Sequence, residues 1–307
     1  MMKTISKIIK YVIDRDYRFC INSYYGLYHN MDDEKFLKRK YKIYFKKELN
    51  LENPRTFNEK MQWLKLYDHN EIYTELVDKY TVKDYIKQKI GNEYIIPTLG
   101  VWNDFESIDF DELPKKFVLK CTHDSGGIYI VKDKDSMNLK EAEKKIKKSL
   151  KRKYYYAHRE WPYKNVKPRI IAEKYLENKD KMEINDYKLM CFNGEVKCSF
   201  VCSDRFNGKG LKVTFFDNGW NVMPFERHYP KSSDVIPKPV KYDEMVKLAE
   251  KLSEGIPFVR VDFYEVDKEI YFGEMTFYPG SGFEEFNPEE WDEILGSWIE
   301  LPKNKCF

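Results

Sequence analysis

The sequence predicts an α+β fold in which a mainly helical stretch, residues 1–95, precedes a smaller α+β lobe over 96–172 and a larger one over 173–307. Three observations carry this. Apolar residues recur at helical spacing up to Gly91-Asn92, where the pattern stops. From Tyr94 the chain changes to short apolar runs of strand length: Ile95-Ile-Pro97, Gly100-Val-Trp102, Phe117 to Lys120 and Ile128 to Val131. Asn193-Gly194 then separates two alternating runs, Asp186 to Phe192 and Glu195 to Cys202, and this dipeptide tolerates the left-handed backbone of a tight antiparallel turn.

In chain order, Ile5, Ile8, Ile9, Val12 and Ile13 form the apolar stripe of a first helix, with Lys3, Lys7 and Lys10 on the remaining surface. Two readings of this basic amphipathic helix stand: peripheral contact with an anionic membrane, and packing on its own domain. The turn Glu52-Asn-Pro-Arg55 leads to a helix over Asn58 to Tyr67, and one further helix is expected over Tyr73 to Ile90. Leu139 to Lys153 reads as a lysine-rich helix, either a solvated face or a cover for bound phosphates. Ile170 to Leu176 is an apolar run ending in alternating polar residues, and a strand pair is expected around Asp217-Asn-Gly219. A helix over Asp243 to Leu252 precedes a further hairpin, and Pro279-Gly-Ser-Gly282 leads to a closing helix around Trp291 to Leu301.

At 307 residues and 42% hydrophobic content, the chain has the size and apolar content of a folded enzyme. Its net charge is only +3 although 54 residues are basic, so no nucleic-acid-binding field covers the surface. Tyr154-Tyr-Tyr156 beside the lysine helix has no RNA-binding module around it, and no nucleic-acid partner is expected. The six cysteines form no C-x-x-C pair, which suits reduced thiols and a cytoplasmic setting, with the inner face of the membrane as the site if the first helix attaches there. No segment reaches the roughly eighteen apolar residues of a membrane-spanning helix, and lysines interrupt the only N-terminal apolar stretch, so no secretory signal is read.

Two stretches carry chemistry. Phe117-Val-Leu-Lys-Cys-Thr-His-Asp-Ser-Gly-Gly127 ends a β-type run on Lys120 and opens into a polar loop with two glycines, a pattern suited to handling phosphate. In the run from Arg260 to Thr276, alternation places Arg260, Asp262 and Tyr264 on one strand face, and Phe272, Glu274 and Thr276 on one face of the returning strand. With a turn centred near Lys268, Asp262 falls opposite Glu274 and Arg260 opposite Thr276. Two facing carboxylates repel, so a cation is expected between them, and oxygen ligands of this kind favour Mg2+ shared with substrate phosphates. The alternative is an exposed face on which both acids are solvated.

The order of these elements resembles the ATP-grasp enzymes, and more closely the TupA-like ATP-grasp family of bacterial surface-polysaccharide gene clusters. The segments that carry the closer resemblance are Pro54 to Trp63, Leu76 to Lys79, Phe117 to Gly127, Arg159 to Lys164, Pro168 to Leu176, Asp186 to Lys188 and Gly273 to Gly282. The resemblance implies an ATP-grasp fold, two α+β lobes clamping a nucleotide, with ATP and Mg2+ as cofactors. Lys79 and Lys120 resemble the lysines that hold the phosphates, and Ser125, Gly126 and Gly127 the loop that covers them. Glu173 with the backbone of Lys174, Tyr175 and Leu176 matches the hinge that reads adenine, Asp186 a ribose-binding acid, and Lys188 a phosphate contact. Asp262 and Glu274 match the metal ligands, with Thr276 standing where an asparagine usually completes the set. Lys120, Lys188 and Arg260 are the expected catalytic residues, Arg260 stabilising the transferred phosphoryl group or a later oxyanion.

The implied activity is an ATP-dependent ligase that joins a carboxylate and an amine through an acyl phosphate in surface-polysaccharide assembly. A glycosyltransferase and an ATP-dependent sugar kinase are the rivals. For the acceptor, His123, Asp124, Arg159, Glu160 and Tyr163 are the candidates, with Asp204 and Arg205 after them. The N-terminal region does not read as the βαβ domain that commonly helps bind an acceptor, so substrate identity does not transfer with the resemblance.

Overall fold

The computed structural model describes residues 2–180, 184–203 and 210–306. Up to residue 95 the described chain folds into α1 (Met2–Ile13), α2 (Arg15–Tyr24), α3 (Asp33–Phe45), α4 (Phe57–Tyr67), α5 (Ile72–Val77) and α6 (Val82–Lys89). Local chemistry starts several of them. Asp14 and Asp32 accept the Tyr17 and Lys35 amides at 2.9 Å, and Thr56 with Glu59 closes a capping box ahead of α4. The apolar stripe of α1 faces solvent: Ile8, Ile9, Val12 and Ile13 are between 53 and 73 % exposed. Its other side is held by Tyr11 Oη, which donates to Asn22, and by Arg18, which donates to the Tyr11 and Val12 carbonyls.

The single helix expected over Tyr73 to Ile90 is broken into α5 and α6. Between them Asp78 accepts the Tyr80 amide at 2.9 Å and pairs with Arg169 Nη2 at 2.6 Å, while the Lys79 amide donates to Thr122 O at 3.2 Å. The local bond to Tyr80 and the long-range partners Arg169 and Thr122 replace the intrahelical bonds and turn Lys79 out of the helix line.

Two antiparallel sheets follow. The smaller lobe is built on β1 (Thr98–Trp102), β2 (Phe117–Cys121), β3 (Ile128–Val131) and β4 (Ile170–Lys174), in the order β1-β4-β2-β3. Phe117, Leu119 and Cys121 point to a core closed by Ala142 and Ile146 of α7 (Leu139–Leu150), while Val118 and Lys120 take the opposite face. A short helix, α8 (Tyr155–His158), leads on to β4. The larger lobe is built on β5 (Asp186–Phe192), β6 (Glu195–Ser203), β7 (Lys212–Phe216), β9 (Phe258–Val266) and β10 (Glu269–Thr276), in the order β10-β9-β5-β6-β7. The helix α9 (Tyr242–Ser253) packs on it through Met245, Ala249 and Leu252. The N-terminal helices share its core: Phe57 of α4 packs on Phe192 and Phe258. Each large apolar side chain buried there contributes about 1.5–3 kcal/mol.

The pair expected around Asp217 forms only in part. Asp217 accepts the Asn221 amide at 2.8 Å, Val222 makes one bridge to Phe216, and Pro224 cannot extend the ladder. The chain instead continues to β8 (Glu226–Arg227), which pairs with β11 (Phe286–Asn287) before α10 (Glu290–Ser297).

Candidate active site

The β9–β10 hairpin sets the centre of the site. Its turn is Asp267-Lys268, both left-handed at φ 50° and 67°, so Val266 pairs with Glu269 and Phe263 with Phe272. A bulge at Gly273 then shifts the ladder by one residue, and beyond it Asp262 faces Glu274 and Arg260 faces Thr276, as the sequence predicts. The bulge also corrects one expectation. Phe272 does not share the face of Glu274; it lies opposite Phe263 in the core, their rings 6.3 Å apart. Glycine suits the bulge, since a Cβ there would come within 3.1 Å of both Asp262 O and Tyr264 Cε2.

The cation between the two acids is the guanidinium of Arg260. Its Nε donates to Asp262 Oδ1 at 2.6 Å, and Nη2 donates to Asp262 Oδ2 at 2.7 Å and to Glu274 Oε1 at 2.9 Å. Lys188, on the neighbouring β5, pairs with Asp186 Oδ2 at 2.6 Å and with Asp262. Thr276 Oγ1 donates to Glu274 Oε1 at 3.2 Å. Burial acts to raise Glu274, but Arg260, Lys79 and Lys188 outweigh it and hold the carboxyl at about 2, even though 42 % of the side-chain surface remains exposed. Burial pushes Asp262 up, with Arg260 and Lys188 acting against it.

Asp186, Asp262 and Glu274 are set against Lys188 and Arg260, with Lys79 also acting on Glu274, and Glu274 Oε2 has no partner among the described residues. The oxygen donors suit a hard divalent cation. No group of three or more His, Cys, Asp or Glu side chains among the described residues is placed to hold a metal alone.

Lys79, Ser125, Gly126, Lys188, Arg260 and Glu274 all line one cavity of about 340 Å³. Lys79 Nζ donates to Asp124 O at 2.7 Å, beneath the glycine loop. Gly126 has φ +100°, and a Cβ there would meet nothing within 4 Å. Gly127 is needed for close approach instead: its Cβ would collide with Ser149 of α7 and come within 2.7 Å of Asp124 Oδ1. Lys120 and Glu173 share a sheet face and pair at 2.6 Å, while Lys83 of α6 reaches the other Glu173 oxygen at 2.5 Å. Burial raises Glu173, but the two lysines outweigh it and the group is held low. The Glu173 side chain is thus taken up by lysines; Lys174, Tyr175 and Leu176 continue out of β4, the Lys174 amide donating to Pro97 O at 3.0 Å.

The candidates for acceptor contact fare differently. Arg159 is buried, its Nε 2.6 Å from Asp33 and its other nitrogens on the carbonyls of Tyr28, Met31 and Tyr156, so it ties α3 to α8 rather than facing a ligand. Glu160 is buried and accepts from Ser281 Oγ at 2.6 Å. Tyr163 packs edge-on against Tyr154. His123 is buried with Nε2 3.1 Å from Arg152 O, burial lowering its pKa, and the Asp124 carboxylate accepts from Ser149. Asp204 and Arg205 lie outside the described residues. In place of acceptor contacts, the structure makes Arg159 and Glu160 interior struts, because their partners come from chain segments far away in sequence.

Several paired or buried cations near the site carry no local signal. Arg227 reaches the cavity from β8, held by Glu284 at 2.9 Å and lying over the ring of Phe200. Lys65 is buried beneath the Pro279–Gly282 turn, donating to Ser281 O at 2.7 Å, and burial pushes it down to about 7. Lys83 lies in α6 and reaches Glu173 from there.

The chain resembles several solved structures at low identity. A D-alanine–D-alanine ligase from Bacillus anthracis, complexed with ATP, is 16% identical with a TM-score of 0.39, covering 66% of this chain and 53% of that one. An ADP complex of purK, N5-carboxyaminoimidazole ribonucleotide synthetase, is 14% identical with a TM-score of 0.42, covering 71% and 50%. The biotin carboxylase domain of a Hydrogenobacter thermophilus 2-oxoglutarate carboxylase is 14% identical with a TM-score of 0.40, covering 75% and 47%. The matched region therefore spans about half the length of each of those chains. No curated protein matches the chain. The TupA-like ATP-grasp family matches residues 59–300, well over half of the sequence and the whole of the site described above, and the chain belongs to that family.

Proposed function

We propose that this protein is an ATP-dependent carboxylate–amine ligase acting in the assembly of a bacterial surface polysaccharide. The reading rests on one arrangement: Lys188, Arg260, Asp262 and Glu274 form a charge network on one wall of a cavity whose other wall is Lys79 and the Ser125–Gly126 loop. Magnesium bound at Glu274 and Asp262 would supply charge neutralisation for the phosphates.

The protein's own groups do the rest. Lys79, Lys120 and Lys188 lower the repulsion between an incoming carboxylate and the γ-phosphate. The carboxylate oxygen attacks phosphorus, the bond to the bridging oxygen breaks and ADP leaves, giving an acyl phosphate. An amine nitrogen then attacks the acyl carbon, Arg260 stabilises the oxyanion, and phosphate departs carrying the amine proton. The 123–131 loop and α7 exclude water from the acyl phosphate.

The test is product analysis with purified protein, ATP and Mg2+. ADP release that requires both a carboxylate and an amine supports ligation. A phosphorylated sugar with no amine requirement would establish the kinase instead, and nucleotide-sugar consumption the glycosyltransferase. The solvent-facing stripe of α1 beside Lys7 and Lys10 supports a peripheral contact with an anionic membrane; no described helix is long and apolar enough to cross one. Co-sedimentation with anionic but not neutral vesicles tests that contact.

A further inference from the structure

A second cavity, of about 620 Å³, opens on the other side of the Ser125–Gly126 loop. Its volume falls within the range of roughly 300–1,000 Å³ usual for small-molecule sites. Ser125 and Gly126 line both cavities, so the two meet at the loop. The N-terminal segment that does not resemble an acceptor-binding domain supplies one wall, through Tyr24, Tyr25 and His29. The opposite wall is one face of α7 and its exit, where Lys145, Lys148 and Arg152 repeat at helical spacing.

Charge and aromatic content define what this cavity takes. Five cationic side chains line it against a single carboxylate, Asp124, which is already bonded to Ser149, so a bound anion meets little opposition. None of Lys145, Lys148, Lys151 and Lys153 is paired with an acid among the described residues, whereas Lys147, turned away from the cavity, is paired with Glu106 and Glu143. Tyr24 and Tyr25 are 48 and 67 % exposed and meet edge-to-face at 5.3 Å. Arg152 stacks over Tyr24 at 4.4 Å and donates to Ser125 O at 3.2 Å, linking the aromatic wall to the loop at the nucleotide cavity. Lysines and arginine suit carboxylates, and exposed tyrosine rings suit the apolar faces of sugar rings.

We propose that this cavity is the acceptor site, binding an oligosaccharide that carries several carboxylates and presenting one of them past Ser125–Gly126. The proposal builds on the ligase reading, which supplies the need for a carboxylate, and it replaces Arg159, Glu160 and Tyr163 as acceptor contacts.

Titration calorimetry on the full chain without nucleotide tests it, using a galacturonic-acid trisaccharide, maltotriose and triglutamate as probes. The acidic trisaccharide should bind, more weakly as salt is raised, and maltotriose should not. Joint replacement Lys145→Glu and Lys148→Glu should weaken binding by at least about tenfold, and Tyr25→Ala by about three- to tenfold. Lys140→Glu with Lys144→Glu makes the same charge change on exposed parts of α7 outside the cavity and should leave binding unaltered. Equal loss in both charge pairs, undiminished binding in Lys145→Glu/Lys148→Glu, tighter binding of triglutamate, or no binding of the acidic trisaccharide would each overturn the assignment. Because ATP is absent, a protein that binds the trisaccharide but releases no ADP in the product assay would refute the ligase reading and leave this site standing.

Discussion

Arg260 forks onto Asp262, two residues along the same strand, and reaches across the ladder to Glu274 at 2.9 Å, so one guanidinium balances two acids that would otherwise repel. This residue therefore has a structural as well as a chemical duty. Replacing Arg260 by Met should cost about 3–5 kcal/mol, because it leaves the enclosed Asp262 short of its main partner. Glu274→Gln should still fold, at a lower unfolding midpoint than the parent, and lose ATP turnover. Denaturant unfolding and an ADP-release assay on both variants check this, and turnover surviving in Glu274→Gln would remove that residue from the site.

Glu274 also sets a pH dependence. Its folded-state pKa, held at about 2, lies below the ordinary value of 4.5, so its contribution to stability is complete above about 4.5 and is lost as pH falls toward 2. The difference in unfolding midpoint between the parent and Glu274→Gln should be constant from neutral pH to about 5 and shrink below it. Urea titrations across that range measure it, and a difference that grows on acidification would contradict the assignment.

Lys83 and Lys120 grip the two oxygens of Glu173 at 2.5 and 2.6 Å. Lys83→Ala should cost about 1–3 kcal/mol, the penalty for a buried charge deprived of one partner. It should also weaken ATP binding, since Lys120 must then serve Glu173 alone. Lys120→Ala should weaken nucleotide binding further. Thermal unfolding and nucleotide titration separate the two effects.

The loop over the cavity depends on Gly127 meeting Ser149. Gly127→Ala should destabilise by about 1–3 kcal/mol through overpacking, and Ser149→Gly in the same chain should recover part of the loss. A double-mutant cycle by chemical denaturation measures the coupling, and strict additivity would show that the contact with α7 is not the cause.

Much of the fold was legible in sequence because its signals are local. Asn193-Gly194 has the φ values, 51° and 86°, that the flanking alternation required, and β5 and β6 follow on either side as read. The facing of Asp262 and Glu274 was reached from a turn placed near Lys268; the observed turn is one-half residue earlier in register, and the Gly273 bulge restores the pairing. Lys79, Ser125, Gly126, Lys188, Arg260, Asp262 and Glu274 converge on one cavity.

What sequence alone determined, then, were the elements whose pattern lies within a few residues: strand alternation, tight turns, caps, the lysine ahead of the glycine loop, and the family those motifs mark. Tertiary structure decided that Asp78 breaks a helix to meet Arg169, that Lys83 joins Lys120 on Glu173, that Arg260 sits between the acids, and that Arg159 and Glu160 are interior struts. The reason is that burying a charge is costly unless a partner is present, and for each of these groups at least one deciding partner arrives from a distant segment or another strand, which no local spacing records.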